Sequence, residues 1–122
     1  MGEDSITPLR EPPVRGVEAV NGAVVVHLAG ELDLYNADEV RDALSDAIAG
    51  APERIVVDME HVEFVDSTAL GVLIEARTRL ENHRAFLLAA PGMETRRALE
   101  ISGLDRHFAV HETVDGALAA EV

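Results

Sequence analysis

The first hydrophobic pattern along the chain is typical of a β-hairpin. Apolar residues recur through positions 14–20 and 23–28, and Asn21-Gly22 separates the two runs. Asn-Gly is suited to the positive backbone angles of a type I′ turn, which joins antiparallel strands. The pattern therefore predicts that the folded domain opens with a tight hairpin.

The next segment has the spacing of an amphipathic helix. Asn36 is suited to cap this helix, with Glu39 closing a capping box and Tyr35 packing on Val40 as a hydrophobic staple. Apolar residues then recur at helical spacing until Gly50, which is suited to a left-handed stop. We therefore expect the first helix to lie between Asn36 and Gly50.

Two short, continuously apolar runs indicate strands that are covered on both faces. They occupy residues 55–57 and 85–90, and we expect residues 55–57 and 86–88 to be buried neighbours in the sheet. A helix is expected between them, over about residues 67–81. Two further helices are expected over residues 93–102 and 113–120.

Strands that alternate with helices after a hairpin predict an α/β fold. We expect a mixed sheet of four to five strands, right-handed crossovers and about four helices in a single domain over residues 14–122. Residues 1–13 contain three prolines and no apolar period, so they are predicted to be a flexible arm. In such sheets, functional residues usually lie at the corners where a strand ends and a helix begins. Two such corners are predicted, at residues 30–36 and 58–67.

Composition narrows the classes of function. The chain has 122 residues, no Cys, 23 acidic residues and a formal charge of -13, and all 10 basic residues are Arg. This charge disfavours nucleic acid and anionic lipid as partners and favours a protein with a basic face. The lack of Cys fits a reducing compartment, and neither a signal peptide nor a membrane span is apparent, so a cytoplasmic protein is expected.

The second corner continues into its helix through Asp66-Ser67-Thr68, a triplet whose simplest interpretation is a helix cap. Metal binding is disfavoured, because His107 and His111 are four residues apart but lie around a predicted strand. No Gly-rich phosphate loop and no set of acid, base and nucleophile is recognisable. The residues alone therefore suggest no enzyme activity, no cofactor and no metal site.

The same triplet also lies in a segment that resembles a known family signature. Residues 66–71 read Asp-Ser-Thr-Ala-Leu-Gly and resemble the Asp-Ser-[Ser/Thr]-[Gly/Ala]-Leu-Gly signature of the STAS domain in anti-sigma factor antagonists. Three other segments resemble family motifs and occur in family order: Gly30-Glu31-Leu32-Asp33, Ile55-Val56-Val57-Asp58 and Ile101-Ser102-Gly103-Leu104. The resemblance covers about residues 14–120 and implies a STAS-type domain.

The resemblance implies that Ser67 accepts phosphate from an anti-sigma factor that is also a serine kinase. Thr68 is the alternative hydroxyl, and we expect Ser67 to lie within one residue of a helix N-terminus with its hydroxyl open to solvent. Asp33 matches a family position beside this serine and is expected to contact the partner. The full set of candidate partner-binding residues is Asp33, Asp66, Ser67, Thr68, Ala69 and Val72. On a helical wheel Val72 points outward, away from the side shared by Leu70 and Leu73, so it either faces a partner or touches a neighbouring element of the domain.

The implied function is partner switching in transcription regulation. The unphosphorylated protein would bind the anti-sigma kinase and release its sigma factor, phosphorylation of Ser67 would end binding, and a serine phosphatase would reset the protein. The alternative is a non-switching STAS subunit of a signalling scaffold or a membrane transport assembly. A matching serine does not separate the two.

Overall fold

A five-stranded sheet organises the part of the chain that the computed structural model describes, residues 10–122. Its strands are β1 (Val14–Val20), β2 (Ala23–Leu32), β3 (Arg54–Val65), β4 (Phe86–Ala89) and β5 (Ala109–His111). The spatial order equals the chain order, with β1 antiparallel to β2 and every later pair parallel. Four α-helices accompany it within these residues: α1 (Ala37–Ala49), α2 (Ser67–Arg79), α3 (Met93–Ser102) and α4 (Val114–Ala119). The predicted fold class is confirmed.

The two faces of the sheet are covered by different helices because consecutive strand residues point to opposite sides. Val57 and Leu88 face a larger core that includes side chains of α1, α2 and α3. Val56 and Leu87 face a smaller core that contains Ala117 of α4. Ile55 pairs with Phe86 and Val57 with Leu88, and all four are at most 1% exposed, so the predicted buried neighbours are confirmed.

The opening hairpin also matches the sequence prediction. Asn21 and Gly22 have φ angles of 48° and 86°, as a type I′ turn requires, and Val20 pairs with Ala23. Gly30 has a positive φ of 76° too, at a register shift within β2 rather than after the strand. Because glycine has no Cβ, it takes up this bulge without strain.

The predicted start and stop signals of α1 are wrong in detail. The Asn36 side chain does not cap the helix, and Tyr35 is 85% exposed, so no staple forms on Val40. Gly50 has φ −79°, and the left-handed residue is Ala51, with φ 51°. The helix nevertheless spans the expected residues, since its buried apolar face holds it in place.

Strand β3 is much longer than its apolar core predicted. It continues past Asp58 to Val65, and the segment expected as a corner pairs with β2, Ala29 with His61 and Leu32 with Val65. The pairing with β2 shifts register between His27 and Ala29 and then resumes, so the continuation is held by backbone hydrogen bonds despite the change to polar residues. The helix that follows, α2, ends at Arg79 instead of residue 81.

The expected flexible arm is only partly within the described residues. Residues 1–9 lie outside them, whereas residues 10–13 run beside β2, where the Ala29 N–H donates to the Pro13 carbonyl at 3.0 Å. This described part of the arm is thus ordered against the domain.

A histidine between two carboxylates links β1, β2 and β3. The ring of His27 lies 2.7 Å from Asp58 through Nδ1 and 3.0 Å from Glu18 through Nε2. The hydrogen bond to Glu18 and the contact with Asp58 together raise the pKa of His27 above its usual 6.5, against the lowering effect of burial. The protonated imidazole is therefore favoured in the folded state.

This linkage predicts a pH-dependent stability. Because the pKa of His27 is higher in the folded than in the unfolded chain, its contribution is fully present below pH 6.5 and is lost as the pH rises through the folded value. We expect the Tm advantage of wild type over His27→Gln to shrink with rising pH in melting curves recorded on both sides of pH 6.5. The exposed His83 provides the control, as His83→Gln should follow wild type. A Tm difference for His27→Gln that is constant with pH would contradict the assignment.

Candidate functional site

The parallel pairing of β2 and β3 brings the last residues of the two predicted corners to one edge of the sheet. Leu32 at the end of β2 pairs with Val65 at the end of β3, and the Asp66 N–H donates to the Leu32 carbonyl at 3.0 Å. The loop at 33–36 therefore lies directly beside the first turn of α2, which begins at Ser67.

The Asp66 carboxylate fastens these two segments to each other. Its Oδ1 accepts from the Ala69 N–H at 3.0 Å, which caps α2, and its Oδ2 accepts from the Leu34 N–H at 3.1 Å. Both oxygens thus have backbone partners, so the main role of Asp66 in the structure is to join the loop to the helix. The cap expected of the triplet is supplied by Asp66 and not by Ser67.

Ser67 is the first residue of α2 and is exposed, so the prediction for its position is confirmed. The unpaired amides of the first helical turn and the positive end of the helix dipole favour an anion there. The first turn of α2 contains no acidic side chain. Thr68 is half-buried, which makes Ser67 the more accessible hydroxyl of the two.

The loop beside Ser67 is held in one shape by its own polar groups. Asn36 is buried; its Oδ1 accepts from the Asp33 N–H at 2.9 Å, and its Nδ2 donates to the Glu31 carbonyl at 2.8 Å. Asp33 Oδ1 in turn accepts from the Tyr35 N–H at 3.0 Å. Asp33 is therefore presented at a fixed position next to the α2 N-terminus.

The site includes one residue that the sequence analysis placed in the flexible arm. The guanidinium of Arg10 donates to Asp33 Oδ2 at 2.9 Å, and it also donates to the Glu31 carbonyl at 3.2 Å. The hydrogen bond from Arg10 is the main cause that holds the pKa of Asp33 below its usual value. No periodicity or motif around Arg10 signals this contact, because it joins residues that are 23 positions apart.

Two of the predicted partner-binding residues are buried. Ala69 is 1% and Val72 is 2% exposed, and Val72 lies between α1 and α2, lining a crevice with Leu44 and Ala76. The expected outward orientation of Val72 is wrong, since α1 covers that face of the helix and Ile74 faces solvent instead, 39% exposed. The side chains of Ala69 and Val72 are therefore out of a partner's reach in this conformation.

Exposed apolar side chains around the site were also missed. Leu34 and Tyr35, in the loop, are 65% and 85% exposed, and Phe64 near the end of β3 is 50% exposed. Two adjacent apolar residues in a polar loop, Leu34 and Tyr35, are the sequence feature that indicates this surface. The predicted hydrophobic staple instead placed Tyr35 against Val40 at the start of α1. These side chains give the edge around Ser67 an apolar component beside its carboxylates.

Within residues 10–122, neither a membrane-spanning helix nor a metal-binding cluster is present. No helix there combines the length and the apolar character that a membrane crossing needs. No group of three or more His, Cys, Asp or Glu side chains in the same range is arranged to hold a metal ion.

The chain matches one protein-family model, that of the STAS domain, over residues 15–117. It is similar to the anti-sigma-F factor antagonist RsfB of Mycobacterium tuberculosis, with 33% identity over 98 residues and 80% of each chain covered. The fold is similar to the crystal structure of an anti-sigma factor antagonist from Mycobacterium paratuberculosis, with a TM-score of 0.81, 33% identity and 90% and 96% of the two chains covered. It is also similar to the Bacillus cell fate determinant SpoIIAA in its phosphorylated form, with a TM-score of 0.64, 28% identity and 84% and 95% coverage.

The two bonds of Asp66 generate a prediction about stability. Asp66→Ala should lower the free energy of unfolding by about 1–2 kcal/mol, because it removes the α2 cap and leaves the Leu34 amide without its acceptor. Asp66→Asn keeps one acceptor oxygen and should lose less. Ser67→Ala should stay within about 0.5 kcal/mol of wild type, since Ser67 is not the cap. Urea unfolding would measure all three, and equal losses for Asp66→Ala and Ser67→Ala would contradict the capping assignment.

Proposed function

We propose that this chain, which belongs to the STAS domain family, is an anti-sigma factor antagonist that binds an anti-sigma factor serine kinase and thereby releases a sigma factor. The observation that carries the proposal is the exposed Ser67 at the N-terminus of α2, beside the fixed Asp33 loop and its exposed apolar side chains. Relatives named as antagonists of anti-sigma factors support it. The protein acts by binding and not by catalysis.

The switch is transfer of phosphate to Ser67. The kinase moves the γ-phosphoryl group of ATP to Ser67 Oγ; the new P–O bond replaces the bond to ADP, and the hydroxyl proton leaves. A serine phosphatase reverses the state by hydrolysing the phosphoserine. That a related protein, SpoIIAA of Bacillus, was solved in a phosphorylated form supports this step.

Phosphorylation acts on binding without unfolding the domain. The phosphate adds about -1.5 to -2 charge at a helix N-terminus, a position that stabilises anions. The same charge lies beside Asp33 and Asp66 on a protein whose formal charge is already -13. In an interface, leaving a charge buried and unpaired costs about 2–5 kcal/mol, or roughly 30- to 5,000-fold in affinity, which is sufficient for a switch.

A phosphorylation assay tests the proposal directly. The purified protein would be mixed with candidate anti-sigma factor kinases and ATP, and the phosphate would be mapped by mass spectrometry in wild type, Ser67→Ala and Thr68→Ala. We expect phosphate on Ser67 in wild type and Thr68→Ala, and none in Ser67→Ala. Phosphate on Thr68 in wild type would reassign the acceptor, and binding without any phosphorylation would favour a non-switching STAS subunit.

The charge of the side chain at position 67 should determine how tightly the kinase binds this protein. Ser67→Ala should bind it as tightly as wild type, whereas Ser67→Asp should bind about tenfold more weakly or worse, with its Tm preserved by the helix dipole. Titration calorimetry beside a melting curve for each variant would measure both effects.

A matched control separates local charge from net charge. Asn82→Asp adds one negative charge in an exposed position beyond the far end of α2, and it keeps the acceptor oxygen that bonds the Arg84 N–H. Its affinity should therefore equal that of wild type. Equal affinity of wild type and Ser67→Asp, with both folded, would overturn partner switching.

A further inference from the structure

We propose that residues 10–13 form a latch over the docking site, in which Arg10 occupies the Asp33 carboxylate and competes for it with a basic group of the partner. The inference rests on the proposed function, because that function makes Asp33 a contact of the kinase. It adds a second level of control, since the affinity for the partner then depends on a segment outside the sheet and helices as well as on phosphate.

Arg10 binds the Asp33 carboxylate and the neighbouring Glu31 as a ligand from the same chain would. Its Nη2 lies 2.9 Å from Asp33 Oδ2 and its Nη1 lies 3.5 Å from Oδ1, so the guanidinium faces both oxygens of the carboxylate. Nη2 also donates to the Glu31 carbonyl at 3.2 Å and lies 3.7 Å from the Glu31 carboxylate. A planar guanidinium suits this paired arrangement better than a point charge does.

The latch is positioned by the backbone and by a second side chain, not by charge alone. The Pro13 carbonyl accepts from the Ala29 N–H at 3.0 Å, and Pro13 itself is buried. The Glu11 side chain lies over Gly30, about 3.5 Å from where a Cβ would stand, and it pairs with Arg15. These contacts fix the direction of the segment, so Arg10 arrives at Asp33 with little further loss of freedom.

Occupation of Asp33 leaves little of the carboxylate for a partner. Its side chain is 21% exposed, and Oδ1 already accepts from the Tyr35 N–H at 3.0 Å. A lysine or arginine of the partner reaches the remaining lone pairs only where Arg10 has withdrawn. The lowered pKa of Asp33, caused first by the Arg10 hydrogen bond, agrees with this geometry.

The expected size of the effect follows from exposure. Arg10 and Asp33 form a partly exposed ion pair, and such pairs are weak in water. Removing the latch should therefore strengthen binding of the kinase about two- to fivefold. The latch tunes affinity, whereas phosphate turns binding off.

The first arm of the test needs no partner. NMR titration of the Asp33 side-chain carboxyl in wild type and Arg10→Ala measures whether Arg10 occupies this group in solution. We expect the pKa of Asp33 to rise towards 3.8 in Arg10→Ala and to stay low in Arg84→Ala, which removes the same charge from an exposed position outside the latch. Identical Asp33 titrations in wild type and Arg10→Ala overturn the latch, whatever the kinase does.

The second arm is a double-mutant cycle on binding of the kinase found in the phosphorylation assay. Arg10→Ala should bind more tightly than wild type, and it should bring no gain in an Asp33→Asn background, where the carboxylate for which Arg10 and the partner compete is absent. A gain that persists in that background is an effect of net charge and overturns the competition. No gain in either background also overturns it but leaves the switch intact, whereas failure of wild type to bind any kinase refutes the proposed function itself.

Discussion

The parallel pairing of β2 with β3 is the constraint on which the site depends. Parallel neighbours end at the same edge of a sheet, so the loop after β2 and the helix after β3 must begin side by side. Asp66 uses that proximity by bonding the Leu34 and Ala69 amides with one carboxylate. The strands behind it are buried on both faces, which makes their register costly to change. A rigid sheet thus fixes the distance between Asp33 and Ser67.

This rigidity determines how the proposed phosphorylation of Ser67 would act. A phosphate on Ser67 enters a position already suited to an anion, with free amides and no acidic side chain in the first turn of α2. The loop next to it is held by Asn36, whose amide bonds Asp33 and Glu31. Neither segment has an evident second arrangement to adopt. The proposed switch is therefore a change of surface charge, to which a docking partner would respond.

Sequence reasoning succeeded where a local pattern decides the structure and failed where a distant contact does. Asn21-Gly22 favours one type of turn, and the continuously apolar runs of β3 and β4 fit only strands in the interior of the sheet. The outward orientation expected of Val72 is wrong because α1 packs on that face, which no pattern within α2 reveals. Arg10 was missed for the same reason, since its partner is 23 residues away.

The two proposed levels of control, phosphorylation of Ser67 and occupation of Asp33 by Arg10, would act at different stages of binding. The phosphate would be buried against the partner and left unpaired, so its cost grows as the interface excludes water. The Arg10 contact instead removes an attraction before the partner arrives, and it lies in an exposed ion pair that salt weakens. A protein of formal charge -13 draws basic surfaces without selection. By masking one carboxylate, the proposed latch would slightly weaken the binding of every basic partner. Only a partner that makes further contacts around Ser67 would make up for this loss of affinity.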